Sequence, residues 1–176
     1  MVQSWLQEIK VVADVLDPAL LEADAAYARH VGQLNLLTYL IEHGDSNVGN
    51  FLISKTAPGP RVFSIDHGVA FASKESDRGK LWQSMRVDRL PADTVARLRA
   101  ISEQELHERL GVLAQWQRQD GLYVAVPAAG NLAPHRGVRQ KDGAVQMGLT
   151  KSEIGGVWRQ LVRLLKEIDA GRIRTY

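Results

Sequence analysis

The feature that most constrains the fold is a long amphipathic helix followed by a polar loop and two apolar runs. From residue 19 to about residue 42, apolar residues recur at three- and four-residue steps, which is the pattern of a helix with one buried face. Asp17-Pro18 indicates where this helix begins, because Asp caps free amide groups and Pro suits the first helical position. The runs 51–53 and 62–65 are typical of short buried strands.

The segment between the two runs predicts a hairpin. Residues 56–60 read Thr-Ala-Pro-Gly-Pro, and this is strong turn chemistry because Pro fixes φ while Gly tolerates a positive φ. Polar side chains flank the strands, namely Asp45 and Asn50 before the first run and Asp66 after the second. We therefore expect Asp45, Asn50 and Asp66 to be gathered at one end of the hairpin.

Two acids and one carboxamide in this arrangement suit chemistry on a phosphoryl group. Such chemistry needs a carboxylate near the accepting hydroxyl and oxygen ligands that hold Mg²⁺ against the phosphates. An acid, an amide five residues later and a second acid after a hairpin supply those parts.

The spacing resembles that of the protein-kinase-like fold. Residues 43–45 (His-Gly-Asp) and Asn50 match the His-x-Asp-x-x-x-x-Asn spacing of its catalytic loop, and residues 65–68 (Ile-Asp-His-Gly) lie where that fold has its metal-binding acid. The His-Gly-Asp segment is similar to the aminoglycoside and choline phosphotransferases. The Ile-Asp-His-Gly segment is more similar to the phosphatidylinositol 3-/4-kinase-like branch, although residues 46–47 (Ser-Asn) replace the Arg-His of that branch.

The resemblance implies a fold and a role for each residue. The fold is α+β and mostly helical, a kinase-like C-terminal lobe in which a small β-hairpin carries the catalytic and metal-binding loops. Asp45 would be the catalytic acid that faces the substrate hydroxyl, and His43 would brace the catalytic loop. Asn50 and Asp66 would bind Mg²⁺ and, with it, ATP.

The resemblance also predicts that a small lobe is missing. That lobe would carry a Gly-rich strand pair over the phosphates and a Lys that contacts them. Gly32 is the only Gly before Gly44, and Lys10 is the only Lys before Asp45, in a segment whose pattern predicts a helix. Residues 1–176 are therefore interpreted as a single large-lobe domain. It would be a fragment, a product of an internal start, a degenerate kinase relative, or half of an enzyme whose partner chain supplies the small lobe.

Three functions remain open at this level. The first is an ATP- and Mg²⁺-dependent phosphotransferase acting on an unidentified hydroxyl acceptor, which we do not expect to be active without a small lobe. The second is a catalytically inactive kinase-like interaction module. The third is a metal-dependent phosphohydrolase with His43, Asp45, Asp66 and His67 as ligands, and it ranks last because a two-metal site would want further acids and histidines. A plain structural reading is that residues 44–47 only end a helix and form a turn.

Composition limits the partners, the cysteine chemistry and the cellular location that we expect for the protein. The net charge is +2, and the basic residues are scattered among acids, which argues against nucleic acid as a partner. The absence of Cys excludes disulfides, thiolate zinc sites and a Cys nucleophile. No apolar stretch approaches the roughly 18–20 residues of a membrane span, and the start does not resemble a signal peptide. A cytoplasmic location is therefore expected.

Further elements are predicted after the hairpin. They are a helix over residues 90–101, a helix over 102–119, a strand over 123–126, a hairpin turning at 141–143 and a helix over 150–170. Ser102 and Thr150 each begin a capping-box pattern. Leu113 and Trp116 are expected in the buried stripe of the second of these helices.

Overall fold

A computed structural model describes residues 9–11, 17–44, 48–54, 61–67, 70–71 and 85–176. Within these residues the helices are α1 (Pro18–Ala23), α2 (Ala25–Leu40), α3 (Ala92–Ala100), α4 (Glu103–Leu110) and α5 (Lys151–Asp169). The strands are β1 (Ile9–Val11), β2 (Phe51–Ser54), β3 (Arg61–Ser64), β4 (Arg89–Leu90), β5 (Ala114–Gln119), β6 (Leu122–Val126), β7 (Val138–Lys141), β8 (Ala144–Met147) and β9 (Arg174–Thr175). The expected α+β class, with more helix than strand, is confirmed.

The predicted first helix is divided in two at Asp24. Its start is confirmed, because Asp17 Oδ1 accepts a hydrogen bond from the backbone N of Ala19 at 3.0 Å. The prediction of one unbroken helix is wrong, since Asp24 has an extended backbone with φ −127°. Its carboxylate accepts from the backbone N of Tyr27 at 2.9 Å. Short polar side chains compete with helical hydrogen bonding in this way, so Asp24 ends α1 and begins α2.

Helix α2 separates two apolar clusters. One cluster joins it to the three-stranded sheet β1-β2-β3 and consists of Tyr27, Val31, Phe51, Ile53 and Val62. The other joins it to the helices and the C-terminal segment and consists of Leu36, Tyr39, Leu90, Val95, Leu98, Leu161, Leu164 and Ile173. Because α2 contributes to both clusters, its C-terminal end is fixed relative to the sheet and to α5.

The predicted hairpin is confirmed by the pairing of β2 with β3. The strands are antiparallel, with Phe51 opposite Ser64 and Ile53 opposite Val62. The turn predicted over residues 56–60 lies outside the described residues. On the other side of β2, β1 pairs antiparallel and places Lys10 opposite Ile53. The helix predicted around Lys10 is therefore wrong for β1, because sheet pairing overrides the local helical pattern there.

The helix predicted over residues 102–119 is wrong in its second half. Its start is confirmed by the Ser102 side chain, which accepts from the backbone N of Glu105 at 3.1 Å. The helix α4 ends at Leu110, and the following residues form β5, which is bonded to β6 on one side and β8 on the other. Leu113 is 60% exposed, not part of a buried stripe. β5 pairs with β6 through a two-residue turn at Asp120-Gly121, where both φ angles are positive, and with the more distant β8. Asp-Gly is a local hairpin signal, but the pairing with β8 is not visible in the local spacing of apolar residues.

The four-stranded sheet, with order β6-β5-β8-β7, buries polar groups on one face. Arg139 is 2% exposed and Gln146 is fully buried, and the two lie opposite each other in β7 and β8. Gln146 Nε2 donates to Gln115 Oε1 at 2.8 Å and to the Gly130 carbonyl at 3.0 Å. The loop over residues 127–137 is thus hydrogen-bonded to this face through Gly130, Leu132 and Ala133.

Two short sequence signals in this half of the chain are confirmed. The predicted turn at 141–143 joins β7 to β8, with positive φ at Asp142 (49°) and Gly143 (75°), as a two-residue type I′ turn requires. Thr150 and Glu153 form both hydrogen bonds of a capping box at the start of α5. None of the described helices is long and apolar enough to cross a membrane.

Candidate functional site

The candidate site is built on the C-terminal end of α2, where a left-handed residue turns the chain. Glu42 has φ 46°. The His43 backbone N donates to the Thr38 carbonyl at 3.0 Å, and the Glu42 N donates to the Tyr39 carbonyl at 3.2 Å. These two bonds form a Schellman motif with Glu42 at the position that Gly usually occupies. The sequence carried no signal for it, because Gly is absent there.

A contact with α5 holds this turn in place. The Gln160 Nε2 donates to Glu42 Oε1 at 2.6 Å, across 118 residues of sequence, and Gln160 is only 7% exposed. Glu42 and Gln160 were not predicted as site residues. A charge-assisted hydrogen bond in a partly buried setting is among the stronger polar contacts in proteins. We therefore regard Glu42 and Gln160 as residues that position the loop beginning at His43.

His43 joins the two predicted loops to each other. Its side chain is completely buried, and its Nε2 lies 3.1 Å from the backbone carbonyl oxygen of Asp66. A carbonyl oxygen can only accept, so this bond requires a proton on Nε2 of His43. His43 was predicted to brace the catalytic loop. In the structure, its side chain instead braces the segment that carries Asp66.

The structure brings Asn50 and Asp66 to the same end of the hairpin. A short 3₁₀ turn (Val48–Asn50) leads into β2, and the backbone N of Ile65 donates to the carbonyl of Asn50 at 3.0 Å. This bond extends the hairpin by one step beyond the last strand pair, Phe51 and Ser64. Asp45 lies outside the described residues, so its position relative to Asn50 and Asp66 stays a prediction.

Asp66 has an unusual backbone conformation. Its φ is 58°, in the left-handed region that few residues other than Gly adopt, although Asp and Asn do so more readily than most. The side chain is exposed, while the carbonyl of the same residue points to buried His43. The backbone is thus held inward and the carboxylate is left accessible. Left-handed residues held by their surroundings often lie at functional sites.

His67 lies next to this arrangement and contacts the ring of His43. Its ring meets that of His43 edge to face, with centroids 4.9 Å apart and an interplanar angle of 81°. Its Nε2 lies 3.0 Å from the hydroxyl oxygen of Ser64. Desolvation and the neighbouring His43 lower the pKa of His67, and the Asp66 carboxylate acts in the opposite direction. His67 is therefore expected to be neutral at pH 7.

The donor atoms suit a hard cation, but the described residues hold no complete metal site. Among them, no group of three or more His, Cys, Asp or Glu side chains could hold a metal ion. One carboxylate and one carboxamide oxygen, from Asp66 and Asn50, are the ligand types that Mg²⁺ takes when waters and substrate phosphates complete its shell. Transition metals such as zinc and copper instead favour imidazole nitrogen or thiolate sulfur as ligands.

Comparison of the chain with protein-family models, with curated proteins and with solved structures found no match.

Proposed function

We propose that this chain carries the Mg²⁺-nucleotide site of an ATP-dependent phosphotransferase that acts on a hydroxyl acceptor. The observation that carries the proposal is the hydrogen bond from His43 Nε2 to the Asp66 carbonyl. It links the loop that contains Asp45 to the segment that contains Asp66, as a site made from both would need. The left-handed φ of Asp66 supports the same assignment.

Each residue has a defined task in this proposal. Asn50 and Asp66 would hold Mg²⁺, and the ion would neutralise charge on the bound phosphates. Asp45 would orient the acceptor hydroxyl and accept its proton. His43 is a positioning residue, because its buried ring contacts the backbone carbonyl of Asp66. Rate enhancement would come from positioning and from charge stabilisation at the transferred group.

The geometry favours this proposal over the phosphohydrolase. That alternative would use His43 as a metal ligand, yet Nε2 of His43 is directed at a backbone carbonyl and the ring is fully buried. A catalytically inactive interaction module remains a distinct alternative, since it could keep nucleotide binding without turnover.

Titration with Mg²⁺-ATP tests the proposal. Thermal unfolding should shift upward as Mg²⁺-ATP is added, because a ligand at about 100 times its Kd stabilises the folded state by roughly 2.7 kcal/mol. Asp66→Asn keeps the size of the side chain and its tolerance of a left-handed backbone but removes the charge, so the shift should be lost. Asp142→Asn is the matched control, since Asp142 also has a positive φ of 49° in an exposed turn remote from the site in sequence.

The outcome distinguishes the possibilities. No shift in the unaltered chain, or a shift retained in Asp66→Asn, would contradict the nucleotide site. A shift that requires Asp66, without phosphoryl transfer to any alcohol when candidate partner chains are added, would favour the interaction module. Hydrolysis of a generic phosphate ester with Mn²⁺ that is lost in His67→Ala would favour the phosphohydrolase.

A further inference from the structure

A cavity of about 510 Å³ lies between α4, α5 and the loop over residues 127–137. Its size is within the range of small-molecule sites, roughly 300–1,000 Å³. The side chains that define its chemistry come from three separate parts of the chain and are Glu103, His107, His135, Lys151, Ser152 and Arg159. None of these residues belongs to the proposed nucleotide site.

Positive and hydrogen-bond-donating groups dominate this lining. Lys151 and Arg159 are cations, and neither side chain forms an ion pair or hydrogen bond with a residue in the part of the chain that the structure describes. In contrast, other arginines of the fold are paired, as Arg29 is with Asp93 at 2.6 Å. Glu103 is the one acid in the lining. Arg159 also lines a neighbouring pocket with Glu42 and Glu153. Within the 510 Å³ cavity, two cations and one acid leave the lining net positive, which favours an anionic ligand.

The guanidinium of Arg159 lies beside two glycines of its own helix. Gly155 and Gly156 lie in the first half of α5, and a Cβ at either position would be in ordinary van der Waals contact with the guanidinium. A Cβ at Gly155 would lie 3.4 Å from Nη1 of Arg159, and a Cβ at Gly156 would lie 3.8 Å from its Nη2. The guanidinium therefore lies along the bare backbone of α5 and lines the cavity.

The donor set matches a particular anion. A guanidinium presents a planar pair of N–H groups that suits two oxygens at once, while Lys acts as a point charge. The hydroxyl of Ser152 and the imidazoles of His107 and His135 add three further groups that can donate. A carboxylate offers about four acceptor sites on two oxygens, which is fewer than these donors could fill, whereas a phosphate monoester has three terminal oxygens and close to two negative charges.

From this geometry we infer that the cavity binds the phosphate group of a small phosphate monoester. The volume leaves space for the organic part of such a molecule beside the phosphate. Glu103 provides an acceptor for hydroxyl groups on that organic part. The inference does not depend on the phosphotransferase proposal, because it uses no residue of that site.

Nuclear magnetic resonance titration of the full chain, with inorganic phosphate and with glycerol 3-phosphate in separate arms, tests the inference. Both probes should shift the amide signals of residues 151–159 and of His107 and His135 in a saturable way. Tighter binding of glycerol 3-phosphate would identify a monoester rather than free phosphate as the ligand. The double variant Lys151→Gln, Arg159→Gln should weaken binding at least about tenfold, because each lost contact is a charge-assisted hydrogen bond.

Arg163→Gln is the matched control, since Arg163 lies one turn further along α5 and does not line the cavity. It removes one charge from the same helix and should leave both affinities within about twofold. Equal weakening in Arg163→Gln, shifts reproduced by chloride at matched ionic strength, or no saturable shift would each overturn the inference. Equal affinity for inorganic phosphate and glycerol 3-phosphate would contradict the assignment of a phosphate monoester as the ligand. Asp66→Asn should leave phosphate binding in the cavity unchanged. A negative result for the nucleotide site therefore does not affect this test.

Discussion

Arg139 offers the sharpest test of how the C-terminal half of the chain is held together. It is buried, and its guanidinium donates to three backbone carbonyls. They are those of Ala133 at 2.9 Å, Gly111 at 2.5 Å and Leu149 at 2.9 Å. These carbonyls belong to the covering loop, to the link between α4 and β5, and to the residue before the N-cap of α5. Arg139 thus ties together the segments that frame the 510 Å³ cavity.

The cost of Arg139→Met follows from these contacts. Hydrogen bonds from a charged donor contribute roughly 1.5–3 kcal/mol each, but two of the carbonyls keep another donor. Arg136 N lies 3.0 Å from the Ala133 carbonyl, and Asn131 Nδ2 lies 3.3 Å from that of Gly111. Methionine also avoids the several kcal/mol needed to bury a cation. The net loss in unfolding free energy should be about 2–4 kcal/mol.

Urea unfolding followed by tryptophan fluorescence measures this loss, because Trp116 lies in β5, which pairs with β8. Gln140→Met is the control, since Gln140 is exposed and neighbours Arg139 in β7. Its effect should stay within about 0.5 kcal/mol. A loss below about 1 kcal/mol in Arg139→Met, or an equal loss in Gln140→Met, would refute the reasoning.

Two further predictions concern the candidate site and the surface. His43→Phe keeps an aromatic ring beside His67 but removes the bond to the Asp66 carbonyl, so unfolding free energy should fall by about 1–3 kcal/mol and the Ile65 amide should exchange faster with solvent. Unchanged exchange at Ile65 would contradict this. The hydrogen bond from Arg29 lowers the pKa of Asp93, so Arg29→Gln should raise that pKa in a carboxyl titration. In the unaltered protein, the Arg29–Asp93 pair stabilises the fold at pH values above the unfolded-state pKa of Asp. This stabilisation is lost as the pH falls through the lowered pKa of Asp93.

Local sequence signals placed many elements correctly. The Asp17 cap, the Thr150 capping box and the turn at Asp142-Gly143 each depend on atoms within a few residues of each other, so the local sequence carries the needed information. The β2–β3 hairpin also followed from turn chemistry and two apolar runs. Its register brought Asn50 and Asp66 to one end, as predicted.

The remaining features were decided by contacts between distant segments. β5 pairs with the distant strand β8, although its own residues continue a helical pattern; its pairing with β6 follows from the local Asp120-Gly121 turn. Glu42 ends α2 in a left-handed conformation with Gln160 bonded to its carboxylate, and a local rule would have required Gly there. The burial of Arg139 likewise depends on carbonyls 6 to 28 residues away.

By itself, the sequence determined where helices begin, where tight turns fall and which polar residues flank the hairpin. Only the tertiary structure decided that His43 contacts the backbone of Asp66 and that Lys151 and Arg159 line a shared cavity with His135. The physical reason is that capping and turn energies are local. The energies of burial and of sheet pairing depend instead on which distant segment arrives as the partner.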